Sequence, residues 1–348
     1  MMSADVQPLI DDLLNGSHRA LARAITKIEN RDPGYRDLVA TLYEHTGTAD
    51  VIGITGSPGS GKSTLVDKLA ERYRERGETV GVIGVDPSSP FTGGAVLGDR
   101  IRMASNVGDM DVFFRSMSAR GSLGGLSTAT ADAVKALDAF GKDRIIVETV
   151  GAGQNEIDVV RTADTVAVLV PPGSGDDVQM LKAGILEIAD VFVVNKADQD
   201  GADRTVQELS EMVELGRGGV SVDAGHHGPD AVDDIGHGHG DDGGWTPRIV
   251  ESVATRGEGI EDVLSAFADH RAYLDESGRA ADRARQRYAE EIRTLLRQDV
   301  GELLEEELDA HGGIDDLARS VAERETNPYA VVDRIVEPIE ACVSDRRD

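Results

Sequence analysis

The stretch Gly56-Ser57-Pro58-Gly59-Ser60-Gly61-Lys62-Ser63-Thr64 has the spacing G-x-x-x-x-G-K-[ST]. Each residue type in it meets a requirement for holding a polyphosphate. The glycines let successive backbone N–H groups wrap one anion in a conformation that a Cβ would obstruct. The Lys62 ammonium can reach the β- and γ-phosphates, and the Ser63 hydroxyl is a hard oxygen ligand suited to Mg²⁺. The helix expected to start there adds its positive dipole end to the same site.

A second motif selects the base. Asn195-Lys196-Ala197-Asp198 follows an apolar run, and the Asp198 carboxylate can accept from both N1–H and the exocyclic amine of guanine. Adenine presents no matching donor pair. A buried carboxylate left unpaired costs several kcal/mol, which disfavours ATP. Ser252-Val253-Ala254 is expected to complete the guanine pocket through backbone amides.

Three carboxylates are placed to serve the γ-phosphate and its metal. Glu148, in Glu148-Thr149-Val150-Gly151, ends an apolar run and can hold Mg²⁺ through water, while the Gly151 N–H can meet the γ-phosphate. Asp86 begins Asp86-Pro87-Ser88-Ser89-Pro90, and Asp99 lies in Leu97-Gly98-Asp99-Arg100. Turn and helix-capping chemistry is the alternative for both aspartates. Ala152 follows Gly151, where Ras-like GTPases carry a water-orienting glutamine, and Gln154 comes two positions later. Slow intrinsic hydrolysis is expected.

Positioning these groups requires strands that end beside one another. Strand-like runs occur at 51–55, 80–85, 144–147, 165–170, 191–194 and 248–253, with helical stretches filling most of the spaces. That alternation predicts an α/β P-loop fold, a mainly parallel sheet flanked by helices whose ligands sit at the carboxyl ends of the strands. Leu9, Ile10, Leu13, Leu14, Leu21, Ile25 and Ile28 predict N-terminal packing helices over residues 1–49, interrupted by an Asn15-Gly16-Ser17 turn and cap. The nucleotide domain is expected over 50–270, with a Gly/Asp/His-rich insertion at about 216–246 that reads as a solvated loop. Over 271–348, Tyr288, Ile292, Leu295, Leu296, Val300, Leu303, Leu304 and Leu308 form a helical stripe. Asn327-Pro328 reads as the cap and first position of a further helix. A long striped helix outside the sheet needs a partner, and a twofold dimerisation arm is the favoured reading over packing on its own chain.

Composition narrows the classes. Among 348 residues, 36 basic against 64 acidic side chains give a net charge of −28, which argues against nucleic acid or anionic membrane as the main partner. The phosphate site must then be a local positive island. There are only seven lysines, and none follows Lys196. Excess acid with scarce lysine suits a surface kept hydrated in concentrated salt, a halophilic trait. The single Cys342 excludes an internal disulfide, and the absence of a leader-like start or a long apolar run leads to the expectation of a cytoplasmic protein.

Four segments carry a specific resemblance: Val85 to Pro90 with Thr92-Gly93-Gly94, Leu97 to Met103, Val147 to Glu156, and Pro172 to Gln179. Together they are similar to the methylmalonyl-CoA mutase-associated GTPases, the MeaB/ArgK family, over about Leu9 to Ala330. The resemblance implies a dimeric GTPase of the metal-chaperone-like branch that assists the cobalamin-dependent mutase by gating cofactor delivery and by protecting or rescuing the enzyme. It makes Lys62 and Ser63 phosphate and Mg²⁺ ligands, and Asp86, Asp99 and Glu148 metal and catalytic carboxylates. Pro172 to Ile185, with Asp176, Asp177 and Lys182, becomes a switch that relays nucleotide state to the mutase. The insertion departs from the family pattern. Its His226, His227, His237 and His239 sustain an alternative, a nickel- or cobalt-delivery GTPase of the hydrogenase or urease maturation type.

Overall fold

The structure is a computed structural model that describes residues 6–86, 108–118, 125–149, 162–173, 188–217 and 244–344. Asp99, Gly151, Lys182 and the four insertion histidines lie outside the described residues, as does the expected switch beyond Gly173.

β1 (Asp50–Gly56), β2 (Val80–Asp86), β4 (Arg144–Thr149), β5 (Thr165–Val170), β6 (Val191–Asn195) and β7 (Arg248–Ser252) are the strands expected from the apolar runs. Val112–Ser118 adds β3, which was not expected. Among the described residues the sheet has the order β3-β2-β4-β1-β5-β6-β7, and every pairing is parallel. β3 escaped the sequence reading because its V-F-F-R-S-M-S pattern lacks a continuous apolar run. It lies at the sheet edge, where one side needs no strand neighbour and polar residues are tolerated. Arg115 within it pairs with Glu29 at 2.7 Å.

The central strands are apolar on both faces because helices cover both. Val166, Val168 and Val170 enter one core, with the helices α1 (Val6–Leu14), α2 (His18–Asn30) and α3 (Tyr35–Tyr43) and with α5 (Gly125–Ala139). Ala167 and Leu169, pointing the other way by strand alternation, enter the second core with α4 (Lys62–Glu75) and α7 (Ile260–Glu276). Ser17 caps α2, its Oγ accepting from the Ala20 N–H at 3.3 Å. Asp138 on α5 accepts from the backbone N–H groups of Gly47, Thr48 and Ala49, fixing the approach to β1. α6 (Ala202–Arg217) follows the base loop.

At the sheet edge opposite the phosphate loop, Asp190 is buried just before β6. Its carboxylate accepts from the Val166 N–H at 2.9 Å and from Arg283 Nη2 at 2.8 Å, and His270 Nε2 lies 3.2 Å away. Burial alone would push this carboxyl up, but His270 and the Arg283 guanidinium outweigh it and hold the pKa down at about 2.

α8 (Arg279–Ala310), α9 (Gly313–Ala322) and α10 (Pro328–Ser344) complete the described chain. Two compact units, Met1–Arg287 and Tyr288–Asp348, divide it inside α8. The second has its own small core of Leu317, Val331 and Ile335, against which Leu304, Leu308 and Val321 pack. Asn327 caps α10 through Oδ1, which accepts from the Ala330 N–H at 3.0 Å, and the helix continues past Pro338. Tyr288, Ile292, Leu296, Val300 and Leu303 are exposed along α8. Among the described residues no helix is long and apolar enough to cross a membrane.

Candidate nucleotide site

β1 delivers the chain to the phosphate loop at Gly56, whose φ is +143°. A Cβ there would lie 2.3 Å from the Leu169 carbonyl oxygen of neighbouring β5, so only glycine lets the loop leave the sheet this close to its neighbour. Gly59 and Gly61 also have positive φ. At Gly61 a Cβ would come 2.3 Å from Asn195 Nδ2. The missing side chain is thus what admits the amide of Asn195 to the loop.

Lys62 opens α4 and is buried. Its Nζ donates to the carbonyls of Gly56 at 2.6 Å and Ser57 at 2.9 Å, which holds the ammonium inside the loop. Next to it, Ser63 Oγ donates to Glu148 Oε1 at 2.5 Å. Glu148 is buried near the end of β4, in register with Ile54 of β1 and Gly84 of β2. The parallel sheet therefore brings one hydroxyl and one carboxylate, 85 positions apart, to a single point. Two hard oxygen donors brought together in this way are of the kind that Mg²⁺ prefers. Asp86 is the last residue of β2, the strand beside β4, which puts its backbone at the same sheet edge. Behind the loop, Thr149 Oγ1 donates to Thr55 Oγ1 at 2.9 Å in a buried contact between β4 and β1.

Asn195 is the joint between phosphate loop and base loop. Buried at the end of β6, it donates from Nδ2 to the Ser60 carbonyl at 2.8 Å. Its Oδ1 accepts from Ser252 Oγ at 3.2 Å and from the Ala254 N–H at 3.1 Å. The Val253 N–H donates to the Glu258 carbonyl at 3.0 Å. In the structure, then, Ser252 and Ala254 brace Asn195, and Val253 closes the turn that follows β7. Lys196, at φ +63°, reaches back to the Gly59 carbonyl at 2.8 Å. Two of the few lysines thus converge on one loop, supplying the positive island that the acidic composition demanded.

Asp198 ends the base motif with its carboxylate partly exposed. Its Oδ2 accepts from Arg256 Nη2 at 2.9 Å. Arg256 belongs to no motif in the sequence. Its nearness to Asp198 depends on the pairing of β6 with β7, in which Asn195 lies opposite Ser252.

Comparison with known proteins places this arrangement among relatives. A family model described as "Methylmalonyl Co-A mutase-associated GTPase MeaB" matches residues 21–309. A putative GTPase of Pyrococcus abyssi is 45% identical over 334 residues, covering 96% of this chain and 97% of the relative. The GTPase ArgK of Escherichia coli is 33% identical over 292 residues, covering 83% and 82%. A mouse protein named "Methylmalonic aciduria type A homolog, mitochondrial" is 29% identical over 312 residues, covering 85% of this chain and 70% of its own. Among solved structures, one titled "LAO/AO transport system kinase" superposes with a TM-score of 0.65 at 24% identity. It covers 98% of this chain and 99% of that one, a likeness of fold.

Proposed function

The chain belongs to the methylmalonyl-CoA mutase-associated GTPase family, and from that premise we propose that it is a GTP-driven chaperone of a cobalamin-dependent methylmalonyl-CoA mutase, gating cofactor loading and protecting or reactivating the enzyme. It binds guanine nucleotide and hydrolyses GTP. The observation that carries the nucleotide part is the Asn195 joint, because it fixes the distance between the loop for phosphate and the carboxylate for guanine. The mutase part is supported by the family match and by the mouse relative's name.

In this reading the phosphate loop and the α4 N-terminus receive the phosphates, and Lys62 exchanges loop carbonyls for phosphate oxygens. Ser63, with Glu148, Asp86 and Asp99, would hold Mg²⁺, which would supply positive charge to offset that of the phosphates. Asp198 accepts from guanine. Residues 172–185, with Lys182, respond to the γ-phosphate and transmit that state to the mutase. Positioning rather than a strong base does the work, so intrinsic turnover is slow and is raised by the partner. The exposed stripe of α8 meets a second copy of the chain; along the sequence the nucleotide domain covers 50–270, after the N-terminal helices of 1–49 and before the arm of 271–348. The acidic surface suits a cytoplasm rich in salt.

The test measures GTP hydrolysis with and without the cobalamin-dependent mutase, for wild type, Lys182→Ala and Asp198→Asn. Stimulation by the mutase, its loss in Lys182→Ala at near-normal GTP affinity, and a shift of Asp198→Asn toward xanthine nucleotides are expected. A wild-type rate indifferent to the mutase over a wide concentration range overturns the chaperone role.

A further inference from the structure

The guanine reading gives the Asp198 carboxylate to the base, yet its orientation has to be set before guanine arrives. A side chain with two free torsions loses entropy when a ligand fixes it, and a group already held in place avoids that loss. Arg256 stands where it can do the holding. Its Nη2 donates to Asp198 Oδ2 at 2.9 Å, and its backbone is itself tied down. The single turn Ala254–Arg256 is closed by the Arg256 N–H donating to the Val253 carbonyl at 2.8 Å and by Gly257 at φ +71°. The Val253 N–H donates to the Glu258 carbonyl, and Gly259 lies so close to β7 that a Cβ would sit 2.1 Å from the Glu251 carbonyl oxygen. The base loop is fastened to this turn through the Ala197 N–H, which donates to the Ser252 carbonyl at 3.0 Å. Both backbones are therefore in a fixed relation, and the guanidinium is presented to one oxygen of the carboxylate.

A carboxylate has about four lone-pair sites on its two oxygens. Guanine N1–H and the 2-amino group occupy one on each oxygen, which leaves a site on Oδ2 for the guanidinium. Resting on the guanine reading above, we propose that Arg256 is a specificity-determining positioning residue, one that fixes the plane of the Asp198 carboxylate so that both oxygens meet guanine. The pair is solvent-exposed, with side-chain exposures of 57% for Arg256 and 34% for Asp198, and such a pair adds little to folding. Its contribution is to selectivity among purines. Inosine nucleotides, which lack the 2-amino group, use one oxygen and gain less from a fixed plane than guanine nucleotides do.

Calorimetric binding of GDP, IDP and ADP to the full chain tests this with wild type, Arg256→Ala and Arg256→Lys. In Arg256→Ala the GDP dissociation constant should rise about fivefold and that of IDP less than about twofold, so that the preference for GDP over IDP narrows by roughly threefold. Arg256→Lys, which keeps the charge without the planar fork, should recover part of that preference. The unfolding midpoint of nucleotide-free Arg256→Ala should stay within about 2 °C of wild type. Equal weakening of GDP and IDP, or tighter GDP binding by the alanine variant, overturns the assignment while leaving the guanine pocket standing. Wild-type binding of ADP as tight as GDP overturns the pocket and the assignment together.

Discussion

Replacing Asn195 with alanine removes three hydrogen bonds from a residue only 2% exposed. The lost contacts are those to the Ser60 carbonyl at 2.8 Å, Ser252 Oγ at 3.2 Å and the Ala254 N–H at 3.1 Å. At roughly 1 kcal/mol net for each, the loss is about 3 kcal/mol. The Ser252 hydroxyl can rotate toward another acceptor, which lowers the cost. The Ala254 N–H is fixed in a turn and is left without that acceptor in a buried setting, which raises it. An unfolding midpoint lower by about 10 °C is therefore expected, taking about 2–4 °C per kcal/mol for a domain of this size. The same change frees the phosphate loop from the base loop, so GDP affinity should fall by at least about tenfold. Differential scanning calorimetry with and without GDP, in matched buffers of high salt, measures both effects. A midpoint within about 2 °C of wild type combined with normal GDP affinity would refute the view that Asn195 joins the two halves of the site.

Lys62→Ala should nearly abolish GTP binding, whereas Glu148→Ala should lower Mg²⁺-dependent hydrolysis by roughly a hundredfold and nucleotide affinity far less, read from single-turnover rates beside equilibrium binding; normal hydrolysis by Glu148→Ala would remove it from the site. Gly56→Ala should cost several kcal/mol and GDP binding with it, since the new Cβ falls 2.3 Å from the Leu169 carbonyl oxygen; an unchanged melting point and GDP titration would contradict the close approach. Asp190 predicts an acid limb: its pKa of about 2 in the folded protein lies below the unfolded value of 3.8. Its contribution, on the order of 2 kcal/mol, is therefore complete above the unfolded value and is lost as pH falls toward the folded one. Denaturant titrations of wild type and Asp190→Asn between pH 5 and pH 2 should show a shallower fall for the variant, and parallel curves would argue against the linkage.

The nucleotide chemistry was legible in the sequence because its signals are local. Gly56 to Ser63 must be contiguous to wrap an anion, and Asn195 to Asp198 must be contiguous to leave a strand and turn toward a base. The apolar runs of β1, β4, β5 and β6 were legible for a related reason: a strand buried on both faces needs apolar residues at successive positions, and no polar interruption blurs the pattern. β3 was missed where that condition lapses at the sheet edge. The family resemblance, resting on such contiguous segments, was recovered by the family match.

Tertiary structure alone decided which distant residues share a point. The 2.5 Å contact of Ser63 with Glu148 requires β1 and β4 to be neighbours, although β2, β3 and α5 intervene in the chain. The role of Asn195 as a joint needs β6 beside β7 and a glycine at position 61 with no Cβ in the way. The approach of Arg256 to Asp198 has the same origin. Residue type and spacing specify what a group can donate or accept, but each of these partners lies tens of residues or more away along the chain. Their meeting is fixed by strand order and register, which arise from burying both faces of the whole sheet at once and from no single segment of it.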